Sequence, residues 1–137
     1  MSNYLELRTR FTDERYLVEA LQELGYEPEV RREGKSLTGY LGDKRAERAH
    51  VIIPRRRLDS ASNDIGFARD SSGVYQAIVS EYDRGIGFDD PWLGRIAQIY
   101  KERQTMAVAK AKGYIFKGKE VIDTPQGKKI QLRFAVR

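Results

Sequence analysis

The sequence holds 137 residues, 40% hydrophobic and 33% charged, with a formal net charge of +5 and no cysteine. A chain of that length suits one domain and buries roughly two-thirds of its unfolded surface, enough for a core without covalent staples. The missing cysteines exclude disulfides, thiolate metal sites, iron–sulfur ligation and a cysteine nucleophile, and no apolar run reaches the roughly 18 residues of a membrane span.

From Tyr4 to Phe11, the residues Leu5, Leu7, Thr9 and Phe11 alternate with Glu6, Arg8 and Arg10, and period two predicts a half-buried strand. Thr12 is placed to cap a following helix, with Asp13 and Glu14 suited to its positive end. Phe11 and Tyr16 have the spacing of a hydrophobic staple. Tyr16, Leu17, Ala20, Leu21 and Leu24 form one apolar stripe, and Gly25 and Pro28 end the helix.

Val30–Arg57 then carries nine basic and three acidic residues, a net +6, while the rest of the chain sums to −1. It reads as two short strands, Ser36–Leu41 and Ala49–Ile53, punctuated by Gly34, Gly39 and Gly42. Arg31 and Arg32 flank one turn, Lys44, Arg45 and Arg48 the next, and Arg55, Arg56 and Arg57 follow Pro54. Ile65–Ala68 and Val74–Tyr82 predict a hairpin around Asp70-Ser-Ser-Gly73.

Gly85, Gly87, Asp89 and Asp90 read as a loop, with Asp90 capping a long helix that has Pro91 at its first position. Trp92, Leu93, Ile96, Ile99, Tyr100, Ala107 and Ala111 keep helical spacing until Gly113. Tyr114–Ile122 and Lys129–Val136 pair around Pro125-Gln-Gly127, with Ile130, Leu132, Phe134 and Val136 as the buried face. The fold class expected is α+β: an antiparallel sheet with two main helices, one short and N-terminal, one long and near the C-terminus, packed on one face. A single domain over 1–137 is expected.

Catalytic signals are weak. His50, the one histidine, lies in a predicted strand, where a packed or hydrogen-bonded imidazole is the ordinary outcome. Glu81, Asp83, Asp89 and Asp90 lack the spacing of a calcium loop, and Gly85-Ile-Gly87 has no following Gly-Lys-Ser/Thr. No serine sits in a Gly-x-Ser-x-Gly elbow. No metal, cofactor or enzymatic activity is expected.

MSNYLELRTRFTD, the helix ending Ala20-Leu-Gln-Glu-Leu-Gly-Tyr26, Asn63-Asp-Ile-Gly-Phe67, Tyr75, the Asp83–Phe88 loop and a long helix carrying Tyr100 before a C-terminal hairpin occur in that order. Together they resemble domain-of-unknown-function family 1257, the chloroplast hypothetical reading frame 35 family, over nearly the whole chain. The resemblance implies a small cytoplasmic protein with a protein partner, such as an ATPase, and supplies no catalytic residues. Val30–Arg57 departs from the family's pattern by being longer and more basic.

The functional expectation is a non-enzymatic cytoplasmic protein that binds an anionic partner, most concretely nucleic acid. Arg31, Arg32, Lys44, Arg45, Arg48, Arg55, Arg56 and Arg57 would neutralise phosphates and Tyr40 would stack on a base. Two alternatives stand beside it. One is an adaptor for a protein partner such as an ATPase; the other is a protein that sequesters a small phosphorylated nucleotide across an oligomer interface. No membrane partner is expected, since the N-terminus lacks an apolar signal core.

Overall fold

The computed structural model describes residues 2–136. The chain divides between Tyr100 and Lys101 into two compact units. The first is α+β, built on a five-stranded antiparallel sheet of order β1-β5-β4-β3-β2. Its strands are β1 (Tyr4–Leu7), β2 (Glu29–Thr38), β3 (Lys44–Ile53), β4 (Ile65–Arg69) and β5 (Tyr75–Ser80). Helix α1 (Glu14–Glu23) follows β1, α2 (Glu81–Gly85) follows β5, and α3 (Asp90–Ala111) begins in this unit.

Both main helices lie on one sheet face. Leu17, Ala20 and Leu21 of α1 and Trp92, Leu93, Ile96 and Tyr100 of α3 pack against Val51, Ile53, Ile65, Phe67, Tyr75, Ala77 and Val79. The alternation of Tyr75, Ala77 and Val79 aims these side chains at the helices, and each fully buried large apolar residue contributes about 1.5–3 kcal/mol. The α1 C-terminus closes with a Schellman pair: Tyr26 N–H donates to Leu21 O at 3.1 Å and Gly25 N–H to Gln22 O at 2.9 Å. Gly25 makes this possible with φ +85.

The helix caps differ from expectation. Asp13, not Thr12, caps α1, accepting from Arg15 N–H at 2.9 Å, while the Tyr100 hydroxyl accepts the Thr12 and Asp13 N–H groups at 3.2 and 2.9 Å. Phe11 and Tyr16 both pack on Tyr100, with ring centroids 4.9 and 5.7 Å away. At α3, Asp89 and not Asp90 accepts the Trp92 N–H, at 3.2 Å. The strand expected to run to Tyr82 stops at Ser80, whose side chain accepts the Asp83 N–H and starts α2.

The basic segment is one long hairpin rather than short strands with arginine-bearing turns. β2 and β3 have ten residues each, and residues 31–34 bulge opposite His50, between the pairs Val30↔Val51 and Lys35↔Ala49. The part of the hairpin that carries Leu37 and Ala49 curls over the sheet face opposite the helices. Leu37 and Ala49 are buried there with Ile52 and Ile78, bordered by Tyr4 and Ala68. The close approach needs Gly66 of β4: a Cβ there would meet Ala49 Cβ at 2.5 Å and Leu37 Cδ2 at 3.0 Å.

The second unit holds the remainder of α3 and a hairpin of β6 (Tyr114–Thr124) and β7 (Gly127–Val136), which form their own two-stranded sheet. Ile130, Leu132 and Phe134, expected to be buried, are half-buried, and Val136 is exposed.

Gly66→Ala should destabilise the protein by about 1–3 kcal/mol in urea unfolding, since overpacking against Ala49 outweighs the smaller gain from a less flexible unfolded chain. An unchanged midpoint would show that the hairpin does not rest on the sheet at this point.

Candidate anion-binding site

The hairpin sorts the predicted cations into those used internally and those left outside. Arg45 is used: its side chain is 12% exposed, its guanidinium sits 4.8 Å over the Tyr4 ring, and Nη2 donates to Ser2 O at 2.8 Å. Arg55 is used as well, donating from Nε to Ser62 O at 3.0 Å and from Nη2 to Ser60 O at 3.2 Å, which closes the Asp59–Asp64 loop. Arg57 pairs with Glu27. Arg31 and Arg56 approach Glu29 at 3.5 and 3.8 Å, and Lys35 joins them at 3.6 Å, so three cations surround one carboxylate.

What converges is a smaller set. Lys35, Lys44 and Arg48 line a cavity of about 310 Å³ together with Gly34, Ser36 and Thr38. Register explains the grouping, since Ser36 pairs with Arg48 and Thr38 with Lys44 across the hairpin. Arg48 is pre-positioned by Nη2 donating to Gly34 O at 2.8 Å and Nη1 to Ser36 Oγ at 3.3 Å. Among the described residues no carboxylate lines this cavity, and none pairs with Lys44 or with Arg32 on the adjoining bulge. Cationic groups, hydroxyls and a turn glycine facing one concavity offer charge and hydrogen bonds to an oxyanion. Lys35 and Ser36, which the sequence reading did not single out as site residues, belong to it; the missing signal was the hairpin register, which pairs Lys35 with Ala49 and Ser36 with Arg48.

Tyr40 lies in the hairpin turn, 42% exposed, its N–H held by Asn63 Oδ1 at 3.0 Å. Asn63 belongs to a buried polar cluster in which its N–H and the Ser80 hydroxyl donate to Asp83 Oδ2 at 3.0 and 2.7 Å. The acidic residues of the 81–90 region are thereby dispersed: Asp83 is an internal anchor, Asp89 caps α3, and Asp90 pairs with Arg84 at 3.8 Å. Among the described residues no group of three His, Asp or Glu side chains is arranged to hold a metal ion.

His50 is also structural. Its Nδ1 accepts the Arg69 N–H at 3.0 Å just beyond the last β3–β4 pair, Val51↔Phe67, which assigns the imidazole proton to Nε2. Burial, then the Arg69 and Arg48 charges, lower its pKa from 6.5.

Charge is also divided unequally along the chain. Residues 101–137 contain ten basic and three acidic residues, a net +7. The near-neutral remainder outside Val30–Arg57 was therefore a cancellation, because residues 1–29 and 58–100 carry six basic against fourteen acidic residues. No helix of the described residues is long and apolar enough to cross a membrane.

The fold and site define an α+β protein with a basic, hydroxyl-bearing concavity on a curled hairpin. The chain belongs to the family described as protein of unknown function DUF1257, whose model matches residues 20–127. No curated protein and no solved structure matches it.

The depressed pKa of His50 sets a sign for pH dependence. Its contribution to stability is fully present above the unfolded value of 6.5 and is lost as pH falls through the lower folded value. Urea unfolding between pH 7.5 and pH 5 should show this loss, and His50→Ala should be less stable at pH 7.5 yet lack the step assigned to position 50. An identical pH profile in the variant would remove the assignment.

Proposed function

We propose that this is a non-enzymatic cytoplasmic binding protein that engages an anionic partner, most concretely nucleic acid, through the β2–β3 hairpin. The observation that carries the reading is the convergence of Lys44 and Arg48, with Lys35 (itself paired with Glu29) and the Ser36 and Thr38 side chains, on one cavity that no carboxylate lines. Arg31, Arg32 and Arg56 extend the cationic surface, whereas Arg45 and Arg55 support it from within. Each phosphate neutralised by such a cation releases condensed counterions, so affinity falls steeply with salt. A small phosphorylated nucleotide presents the same oxyanion chemistry at the same residues and is the alternative ligand; raising the melting temperature at millimolar nucleotide would favour it.

A second reading, an adaptor for a protein partner, is favoured by the β6–β7 ribbon. Tyr114, Phe116, Val121 and Val136 are exposed on one of its faces, and isolated two-stranded ribbons are marginal in water. A packed protein interface responds weakly to salt, which separates the two readings.

For a single-stranded oligonucleotide, log K plotted against log salt should give a straight line of negative slope. Lys44→Gln combined with Arg48→Gln should reduce that slope by about 1.4, from two contacts at about 0.7 each. Unaltered affinity and slope in a variant with native circular dichroism would reject the hairpin as the site.

A further inference from the structure

A second cavity of about 370 Å³ borders the same hairpin, lined by Ser2, Tyr40, Ala61, Asn63 and Tyr82. Two of its five lining residues are tyrosines, 42% and 38% exposed. Neither ring hangs on a mobile tether. Tyr40 N–H donates to Asn63 Oδ1 at 3.0 Å, while Tyr82 N–H donates to Ser2 Oγ at 2.8 Å and its hydroxyl to Asp59 Oδ2 at 2.8 Å. Asp59 is fixed in turn by its N–H donating to Ser62 Oγ at 3.1 Å. The hairpin turn, the 59–62 loop and α2 thus present two aromatic rings on preformed backbone, and the cavity's volume falls at the lower end of the roughly 300–1,000 Å³ common for small-ligand sites.

The polar content of this cavity decides what it reads. Asn63 is 1% exposed; its Oδ1 accepts the Tyr40 N–H, and its Nδ2 donates to Ser80 Oγ at 2.9 Å and Asp83 Oδ2 at 3.4 Å. It supplies a rigid floor and no spare amide donor. The two tyrosine rings are the large side chains of the lining, and paired aromatic rings favour a flat aromatic guest. Position along the chain supplies the second clue. Thr38 and Lys44 line the basic cavity, and Tyr40, in the turn between them, lines the aromatic one, so a single hairpin presents both.

We propose that the Tyr40–Tyr82 cavity is a base-stacking subsite for single-stranded nucleic acid, adjoining the basic concavity that holds the phosphate backbone. The inference rests on the anion-binding reading above and names its ligand class. Because stacking dominates, binding tolerates any base, and duplex, whose bases are already stacked on one another, binds more weakly than a single strand.

The test compares the full-length protein and its variants on a uridine 12-mer, on inorganic polyphosphate of similar charge, and on uridine alone. Tyr40→Ala and Tyr82→Ala should each weaken the 12-mer about tenfold, the size of one base–aromatic stack. Both should leave polyphosphate affinity and the salt slope unchanged. Tyr82→Phe, which keeps the ring and loses only the bond to Asp59, should bind as the parent does. Wild-type 12-mer affinity in both alanine variants would overturn the subsite while leaving the basic concavity standing. Failure of the parent to bind either polyanion would overturn the anion-binding reading. The cavity is then judged by uridine at millimolar concentration, which must shift the backbone amide signals of Tyr40, Ala61 and Tyr82. Unmoved signals would overturn the subsite too.

Discussion

One carboxylate holds the β2–β3 hairpin in place. Asp64 is 6% exposed, and its Oδ2 accepts the Thr38 N–H at 2.8 Å while Oδ1 accepts the Arg55 N–H at 2.8 Å. Its own N–H donates to Thr38 O at 2.9 Å, and its carbonyl accepts the Tyr4 hydroxyl at 2.7 Å. Four chain segments therefore meet at one residue: the hairpin, the turn after β3, the entry to β4, and β1. A buried carboxylate without such donors would cost several kcal/mol, whereas hydrogen bonds to a charged group contribute about 1.5–3 kcal/mol each. Burial and the neighbouring Asp64 charge also push the Tyr4 phenol pKa up, keeping its hydroxyl a donor. With this junction formed, Leu37 and Ala49 can cover Ile52 and Ile78.

The same geometry separates charge in the sequence from charge available at the surface. Arg45 and Arg55 direct their planar guanidinium groups to an aromatic face and to carbonyl oxygens, a use that suits arginine better than lysine. Both stand among the densest run of positive residues, yet their charge serves the fold. Lys44 has no carboxylate partner among the described residues, and Arg48 is held beside it by hydrogen bonds to Gly34 and Ser36. The second unit, whose residues 101–137 sum to +7, includes a ribbon whose Phe116 and Phe134 rings meet across the strands at 5.7 Å.

Much of the architecture was legible before the structure. The β4–β5 hairpin was marked by its turn: the Asp70 carboxylate accepts from Ser72 and Val74 N–H at 2.9 and 3.1 Å, and Gly73 takes φ +87. Asn63-Asp-Ile-Gly-Phe67, which carried the family resemblance, resolves into separate physical tasks. Asn63 and Asp64 anchor the hairpin, Ile65 and Phe67 enter the core, and Gly66 makes room for Leu37 and Ala49. The site was less legible, since the grouping of Lys35, Lys44 and Arg48 depends on a bulge that no local pattern announced.

By itself, the sequence determined the two main helices, the α+β class and the strand faces, because hydrophobic periodicity, turn glycines and chain stops act over a few residues. Tertiary structure decided what meets the start of α1, where the hydroxyl of Tyr100, distant in sequence, accepts the Thr12 and Asp13 N–H groups. It also decided which cations face inward. That choice depends on where the hairpin lies, and the Asp64 junction and the missing side chain at Gly66 set its position through contacts between segments far apart in the chain.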